Sequence, residues 1–306
     1  MNKRLAIALA IMAIGASAVQ AATYQSTALA NGNWTDAGIW GTTPGYPGSS
    51  APADIVQIGG SATITLNSSL PNTLGAVRVG RGSAGNLIVS SGANMTLSLG
   101  NNMSVGDNEL GYYTQNGGTV NALSAFNIAT LVGTTAGSLA TINGGTLNVG
   151  TTLFVAKAAN GGMDITGGTV KTRDLTIGAT NNTTVGTVSL SGGSLEVTST
   201  AFAINTASQL EIGTGGTLIL GGDVWSTVGD YVNSGDIVWD ALDTVTAGVG
   251  DKTWHNWNGQ GYLHTDYDAL TGKTTVWVNQ TIPEPATVGM LGLGSLIVLL
   301  VRRMRG

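Results

Sequence analysis

The 306-residue chain contains no cysteine. It can therefore form no disulfide, offer no thiol nucleophile and build no cysteine-ligated metal site. Charge is scarce as well: Asp, Glu, Lys and Arg make up 9% of the residues, against about 25% in ordinary globular domains. The only histidines are His255 and His264, and no serine sits in a G-x-S-x-G elbow, so a Ser-His-Asp triad has no signature here. Between the two terminal segments, residues 22–281 hold 7 Lys+Arg against 16 Asp+Glu, a net charge of −9. Such a surface argues against a nucleic-acid partner, which demands basic patches.

What the chain has is glycine, at 47 positions, with Ala, Thr, Ser and Asn filling much of the rest. Apolar β-formers run throughout, which excludes the composition of a disordered chain. The glycines recur in order. Related turns read "NGGTV" from Asn116, "NGGTL" from Asn143, "TGGTV" from Thr166, "SGGSL" from Ser191 and "TGGTL" from Thr214. Their glycine pairs open at Gly117, Gly144, Gly167, Gly192 and Gly215, giving periods of 27, 23, 25 and 23 residues. A weaker copy, "SGANM", starts at Ser91.

Short alternating runs flank each turn, such as "GSLATI" before Gly144 and "TLNVG" after it. Apolar residues at every second position mark strands with one buried face. A further strand recurs in each period: "MSVGD", "FNIAT", "LFVAK", "LTIGA" and "FAINT". A repeat of about three short strands cannot bury its own apolar face, but stacked repeats align their inward Val, Leu and Ile residues into one column. The expectation is an all-β parallel β-helix, or β-solenoid. Glycine pairs suit its corners, where φ turns positive and neighbouring coils approach closely. An antiparallel sandwich also uses regularly spaced short strands, but it does not require self-similarity.

A solenoid exposes unpaired backbone and apolar core at both ends unless something covers them. All seven tryptophans lie outside the repeats, with Trp34 and Trp40 before them and Trp225, Trp239, Trp254, Trp257 and Trp277 after them. They are expected to plug the terminal cores; a sugar-stacking platform near Trp254 and Trp257 is the alternative. "YLHTDYDALTGKTTVWVN" reads as a hairpin joined at "LTGK". The segment from Gly32 to Leu66, with a Trp pair, a Pro/Gly-rich loop, then an Asp and alternating strands, resembles the opening of bacterial surface proteins built from autotransporter-type β-strand repeats. That resemblance implies a passenger-like solenoid and no chemistry.

Parallel β-helices include polysaccharide lyases and hydrolases, which need carboxylates and a basic group side by side. The repeats offer Asp164, Asp174, Lys157, Lys171 and Arg173, and a solvated outer face explains these residues adequately. His255 reads as a polar residue at the edge of a cap. Asp236, Asp240, Asp243, Asp266 and Asp268 are close enough in sequence to meet around calcium, yet "DIVWDALD" lacks the spacing of a calcium loop. The expectation is a non-enzymatic protein with no cofactor and no metal.

The two ends are address segments. Lys3 and Arg4, the apolar stretch Leu5 to Gly15 and the small residues up to Ala21 form a secretory signal peptide, with cleavage expected after Ala21. At the other end, Ala286 to Val301 is a 16-residue uncharged run followed by Arg302, Arg303 and Arg305. It is a short transmembrane helix with its basic end on the cytoplasmic side. Together with Pro283, Glu284 and Pro285 before it, this tail is similar to the PEP-CTERM sorting signal of Gram-negative bacteria. That resemblance implies recognition by an exosortase, cleavage near the motif and delivery to the cell surface or an extracellular polysaccharide matrix.

The expected plan is thus a signal peptide (1–21), an N-terminal cap with first strands (22–70), solenoid repeats (71–221), a Trp-rich C-terminal cap (222–281) and the sorting signal (282–306). The body would serve as adhesin, spacer or matrix component, with the inner membrane as a transient or retained anchor and extracellular polysaccharide as the candidate partner. A carbohydrate-active β-helix enzyme is the competing reading.

Overall fold

Runs of alternating Val, Leu, Ile and Thr favour extended chain, and glycine at intervals lets that chain turn without steric cost. The computed structural model describes residues 20–130, 137–179, 184–239, 245–246, 253–256 and 261–280. In it the chain winds into a parallel solenoid of about seven turns, with three sheets running along its length. The first sheet stacks Asn31–Asn33, Ala62–Leu66, Gly85–Val89, 111–115, 138–142, Gly161–Ile165, 186–190, 209–212 and Ile237–Trp239. The second stacks Asn94–Leu97 with 119–122, 146–149, 169–172, 194–197 and 217–220. The third runs from Thr23–Gln25 through Asp54–Ile58, 76–79, Met103–Val105, Phe126–Ile128, 153–155 and 175–177 to Phe202–Ile204. Every pairing in these stacks is parallel, which excludes the sandwich. The recurring "MSV", "FNI", "LFV", "LTI" and "FAI" segments are successive rungs of the third sheet.

In-register stacking carries the core. On the second sheet Met95, Val120, Leu147, Val170, Leu195 and Leu218 sit directly above one another. Each is at most 1% exposed, and such burial stabilises by about 1.5–3 kcal/mol per side chain relative to exposure. An amide interrupts one of the apolar columns of the first sheet. Gln115 lies between Val89 and Ile142 on the first sheet and is fully buried. It is satisfied there: Tyr113 Oη donates to its Oε1 at 2.8 Å, and its Nε2 donates to the Thr146 carbonyl at 3.0 Å. Burial pushes the Tyr113 phenol well above the usual tyrosine range, so it acts purely as a neutral donor.

The corners show why paired glycines recur. The second glycine of four turns, Gly118, Gly145, Gly168 and Gly193, has φ between +67° and +76°. The same residues press on the preceding coil; a Cβ on Gly168 would lie 2.6 Å from the Gly145 carbonyl oxygen. The fifth turn differs, since Gly216 is not among the positive-φ glycines and is required instead by its approach to the Leu190 backbone. Because glycine bends the chain with only local shifts of register, the expected short strands merge: Ser138–Val155 is one strand of 18 residues with irregularities at 142–146 and 149–152. Outside the corners the side chains form their own ladders. Asn143 Nδ2 donates to Asn116 Oδ1 at 2.9 Å, Thr166 Oγ1 donates to Asn143 Oδ1 at 2.8 Å, and Asn148 Nδ2 donates to Asn121 Oδ1 at 2.8 Å.

Both ends are closed by separate devices. At the start, Trp34 and Trp40 are fully buried and meet edge to face at 5.1 Å, with Tyr24 against Trp40 at 6.4 Å. Their indole N–H groups donate to the Pro47 and Trp34 carbonyls at 3.0 and 2.7 Å. Parallel pairing already begins in this segment, at Thr23–Gln25 and Asn31–Asn33. At the far end, helix α1 (Trp225–Ser234) ends on Gly235 at φ +82° and brings Tyr231 over the third sheet. Its hydroxyl accepts from the Ile204 N–H at 3.2 Å and donates to the Phe202 carbonyl at 3.4 Å. The sequence reading expected tryptophans here and missed this helix. Trp239 is buried at 3% exposure, whereas Trp225 is 37% exposed; the side chains of Trp254 and Trp257 lie outside the described residues.

The expected hairpin is present: Gly261–Asp268 and Lys273–Gln280 pair antiparallel, and the second of these strands adds antiparallel to 217–221 of the second sheet. Glu196 ties this cap to the coils, with Lys273 Nζ at 2.8 Å from its Oε1 and Lys171 Nζ at 3.2 Å from its Oε2. Partial burial opposes ionisation of Glu196, but the hydrogen bonds from Lys273 and Lys171 outweigh it and hold the carboxyl below its ordinary value. Among the described residues no helix is long and apolar enough to cross a membrane. The short span expected at Ala286 to Val301 and the leader core at 5–15 both lie outside the described residues.

Two outcomes follow from these contacts. Gly168→Ala is expected to destabilise more than Gly82→Ala, which has φ +74° but open space around it. The second should cost only the left-handed penalty of about 1–2 kcal/mol and the first at least that again, as read by urea unfolding. Glu196→Gln is expected to lower the melting temperature at pH 7 by roughly 2–4 °C, for a loss of about 1 kcal/mol. A carboxyl whose folded value is depressed stabilises above its unfolded value and loses that stabilisation as the pH falls through the folded one. The gap between the two proteins should therefore close below about pH 4, and melting curves across that range check it.

Candidate functional site

The cap hairpin does more than close a sheet edge. Alternation along Gly261–Asp268 and Lys273–Gln280 turns Leu263, Val276 and Val278 into the core, and His264, Asp266, Thr275 and Trp277 face outward. His264 stands opposite Trp277, and Trp277 opposite Thr217. The imidazole and indole stack at 5.4 Å with their planes 19° apart. Beside them opens a cleft of about 470 Å³ between the hairpin and the last glycine turn, lined by Thr214, Gly215, Gly216, Thr217, Asp266, Thr275, Trp277 and Val278. Glycine at 215 and 216 keeps that wall free of side chains. The cleft thus combines a half-buried indole, a carboxylate and three threonines. An aromatic face offers area to apolar C–H surfaces, while the carboxylate and hydroxyls offer polar partners. That is the chemistry suited to a polyhydroxylated ring. The platform the sequence suggested at Trp254 and Trp257 lies outside the described side chains; Trp277, given no separate role there, is the tryptophan that lines a cleft. The signal was its place in the strand "TTVWVN", where it takes the outward register.

The charged residues singled out in the repeats do not share one face. Asp164 is on the first sheet, opposite Thr141 and Ser189, and partial burial raises its pKa. Lys171 is on the second sheet, paired with Glu196. Arg173 and Asp174 pair with each other at 2.7 Å at the corner between the second and third sheets. The Asp174 carboxyl is held below its usual value, first by the hydrogen bond from Arg173 and then by that from Ser199, against some burial. Lys157 Nζ lies 4.9 Å from the centre of the Phe154 ring and 3.3 Å from Asn127 Oδ1.

The acidic residues of the cap are similarly engaged in local structure. Asp236 Oδ2 accepts from Ser234 Oγ at 2.6 Å. Asp268 caps the hairpin turn by accepting from the Leu270 N–H and Thr271 hydroxyl, which lowers its pKa. Among the described residues no group of three or more His, Asp or Glu could hold a metal ion; Asp240 and Asp243 lie outside them. So does the sorting segment with Pro283, Glu284, Pro285, Arg302, Arg303 and Arg305, and the side chain of His255 is likewise not described. Ala21 is described and exposed, outside any strand.

No match to the chain was found among the curated proteins or the solved structures. Residues 281–305 match the PEP-CTERM protein-sorting motif. That motif implies an exported protein sorted through an exosortase, at the surface or outside the cell.

Proposed function

We propose that this chain is a non-enzymatic surface or matrix protein whose solenoid is a stiff spacer that contacts extracellular polysaccharide. Its leader is removed after Ala21, and its tail holds it in the inner membrane through Ala286 to Val301 until an exosortase cuts near Pro283, Glu284 and Pro285. One observation carries this reading. The last strand of the cap ends at Gln280, and the sorting motif begins at residue 281. A cut at the motif therefore falls after every described strand of the capped solenoid. The low charge and the Asn and Thr ladders of the outer surface suit a matrix environment, and the cleft at Trp277 and Asp266 supplies a contact for a sugar ring.

Replacing Pro283, Glu284 and Pro285 with alanine is expected to leave the protein in the membrane fraction. Mass spectrometry of the surface protein is expected to find no peptide from Arg302 to Gly306; its recovery there would show a plain anchor instead. In a glycan-binding screen on the surface protein, Trp277→Ala is expected to weaken retention about tenfold, equivalent to roughly 1.4 kcal/mol. Binding unaffected by that change removes the cleft from the proposal, and degradation of the bound glycan would favour the enzyme reading.

A further inference from the structure

The first coil holds a carboxylate for which the described side chains supply no cation. Asp54 opens the strand Asp54–Ile58, points inward with Val56 and Ile58, and is 0% exposed. Its Oδ1 accepts the Ala22 backbone N–H at 2.8 Å, and its Oδ2 accepts the Gly48 N–H at 2.9 Å. None of the ion pairs among the described residues includes it. The other titratable groups on the segments packed there are Tyr24, Tyr46 and Arg78. Tyr24 donates its hydroxyl to the Pro44 carbonyl, Tyr46 is half-buried in the loop, and Arg78 stands beside Gln57 on the outward face. The strands Ala62–Leu66 and Gly85–Val89 carry no titratable side chain. A buried carboxylate held only by neutral donors is costly, and a cation beside it offsets that cost.

Among the described residues, packing also begins at the residue Asp54 holds. Gln20 and Ala21 are exposed and lie outside any strand. Ala22 packs against the core, and its carbonyl accepts the Ile55 N–H at 2.8 Å. Side chain, carbonyl and N–H of Ala22 are thus all fixed, while the two residues before it make none of these contacts.

We propose that removal of the leader completes this site: hydrolysis of the Ala21–Ala22 bond converts the N–H already on Asp54 into the ammonium that pairs with it. The leader-removing protease adds water across the amide. The carboxylate departs with Ala21, and Ala22 keeps a protonated amine at the 2.8 Å position. The mature N-terminus then locks the first strand of the third sheet onto the second, and the leader-bearing chain lacks that charge. This rests on the cleavage reading above, and the two fail separately.

Insertion of Ser-Gly between Ala21 and Ala22 in the full chain moves the new ammonium two residues from Asp54 and leaves every side chain in place. The N-terminal peptide of the exported protein is expected to begin at Ala22; a different start overturns the pairing together with the cleavage reading. With that start established, the natural protein is expected to melt about 2–4 °C above the insertion variant at pH 7. An amine whose folded pKa is raised stabilises fully below its unfolded value of about 7.7–8.0, and that contribution is lost as the pH rises through the folded value. The gap should therefore close by about pH 10, and the insertion should have no effect on melting in Asp54→Asn. Equal melting at pH 7 overturns the pairing and leaves the cleavage standing. Should Asp54→Asn fail to fold, NMR titration of the ¹⁵N-labelled Ala22 amine decides the matter: a pKa above the free-amine range supports the pair, and one within that range overturns it.

Discussion

Everything in this molecule depends on the parallel backbone ladder between one coil and the next. Each rung hydrogen-bonds to the rung before and after it, so a residue in one turn fixes the position of its counterpart a repeat away. That constraint produces the columns of Val, Leu and Ile on the second sheet and sets the Asn and Thr ladders outside the corners. It also makes glycine indispensable. At Gly168 the coils approach so closely that a single added carbon would meet the neighbouring carbonyl at 2.6 Å. With no cysteine and few ion pairs, there is little else to hold the coils together.

The same ladder creates a difficulty at each end, because the last rung presents unpaired donors and acceptors. The fold answers it differently on each of its sheets. The second sheet is finished by an antiparallel hairpin that reverses the pairing direction. The third is covered by a helix whose Tyr231 hydroxyl both accepts from and donates to the exposed backbone. The first ends at Ile237–Trp239, with the Trp239 ring on the core. At the opposite end, the edge-to-face indoles of Trp34 and Trp40 plug the coil and the buried Asp54 holds the incoming chain at Ala22. Both closures lie within residues 22–280, directly before the sorting motif matched at 281–305.

Charge plays a local part in this design. Glu196 sits between Lys171 and Lys273 and links the penultimate coil to the cap. Arg173 and Asp174 satisfy each other at a corner. Asp164, Lys171, Arg173 and Asp174 are spread over different sheets and a corner, and the cleft at Trp277 belongs to the cap, where the hairpin meets the final glycine turn.

Much of this was legible in the sequence. Self-similarity at 23 to 27 residues reports coil length directly, and period-two alternation reports which side chains face in; both are local properties of one strand. The hairpin at "LTGK" and the sorting motif are local for the same reason. Helix α1 carried a signal that went unread, with Trp225, Val228, Gly229 and Val232 at helical spacing before Gly235. The merging of strands through the corners, the burial of Gln115 and the convergence of Trp277, Asp266 and Thr217 carried none. They arise from contacts between distant residues, such as Gln115 with Thr146 and Thr217 with Trp277, set by how coils stack and where the chain turns back. The sequence by itself determined the repeat, its inward faces and the sorting motif at 281–305. Only the tertiary structure decided which tryptophan faces a cleft and which carboxylate holds the Ala22 N–H, because those depend on segments that meet only when the coils close.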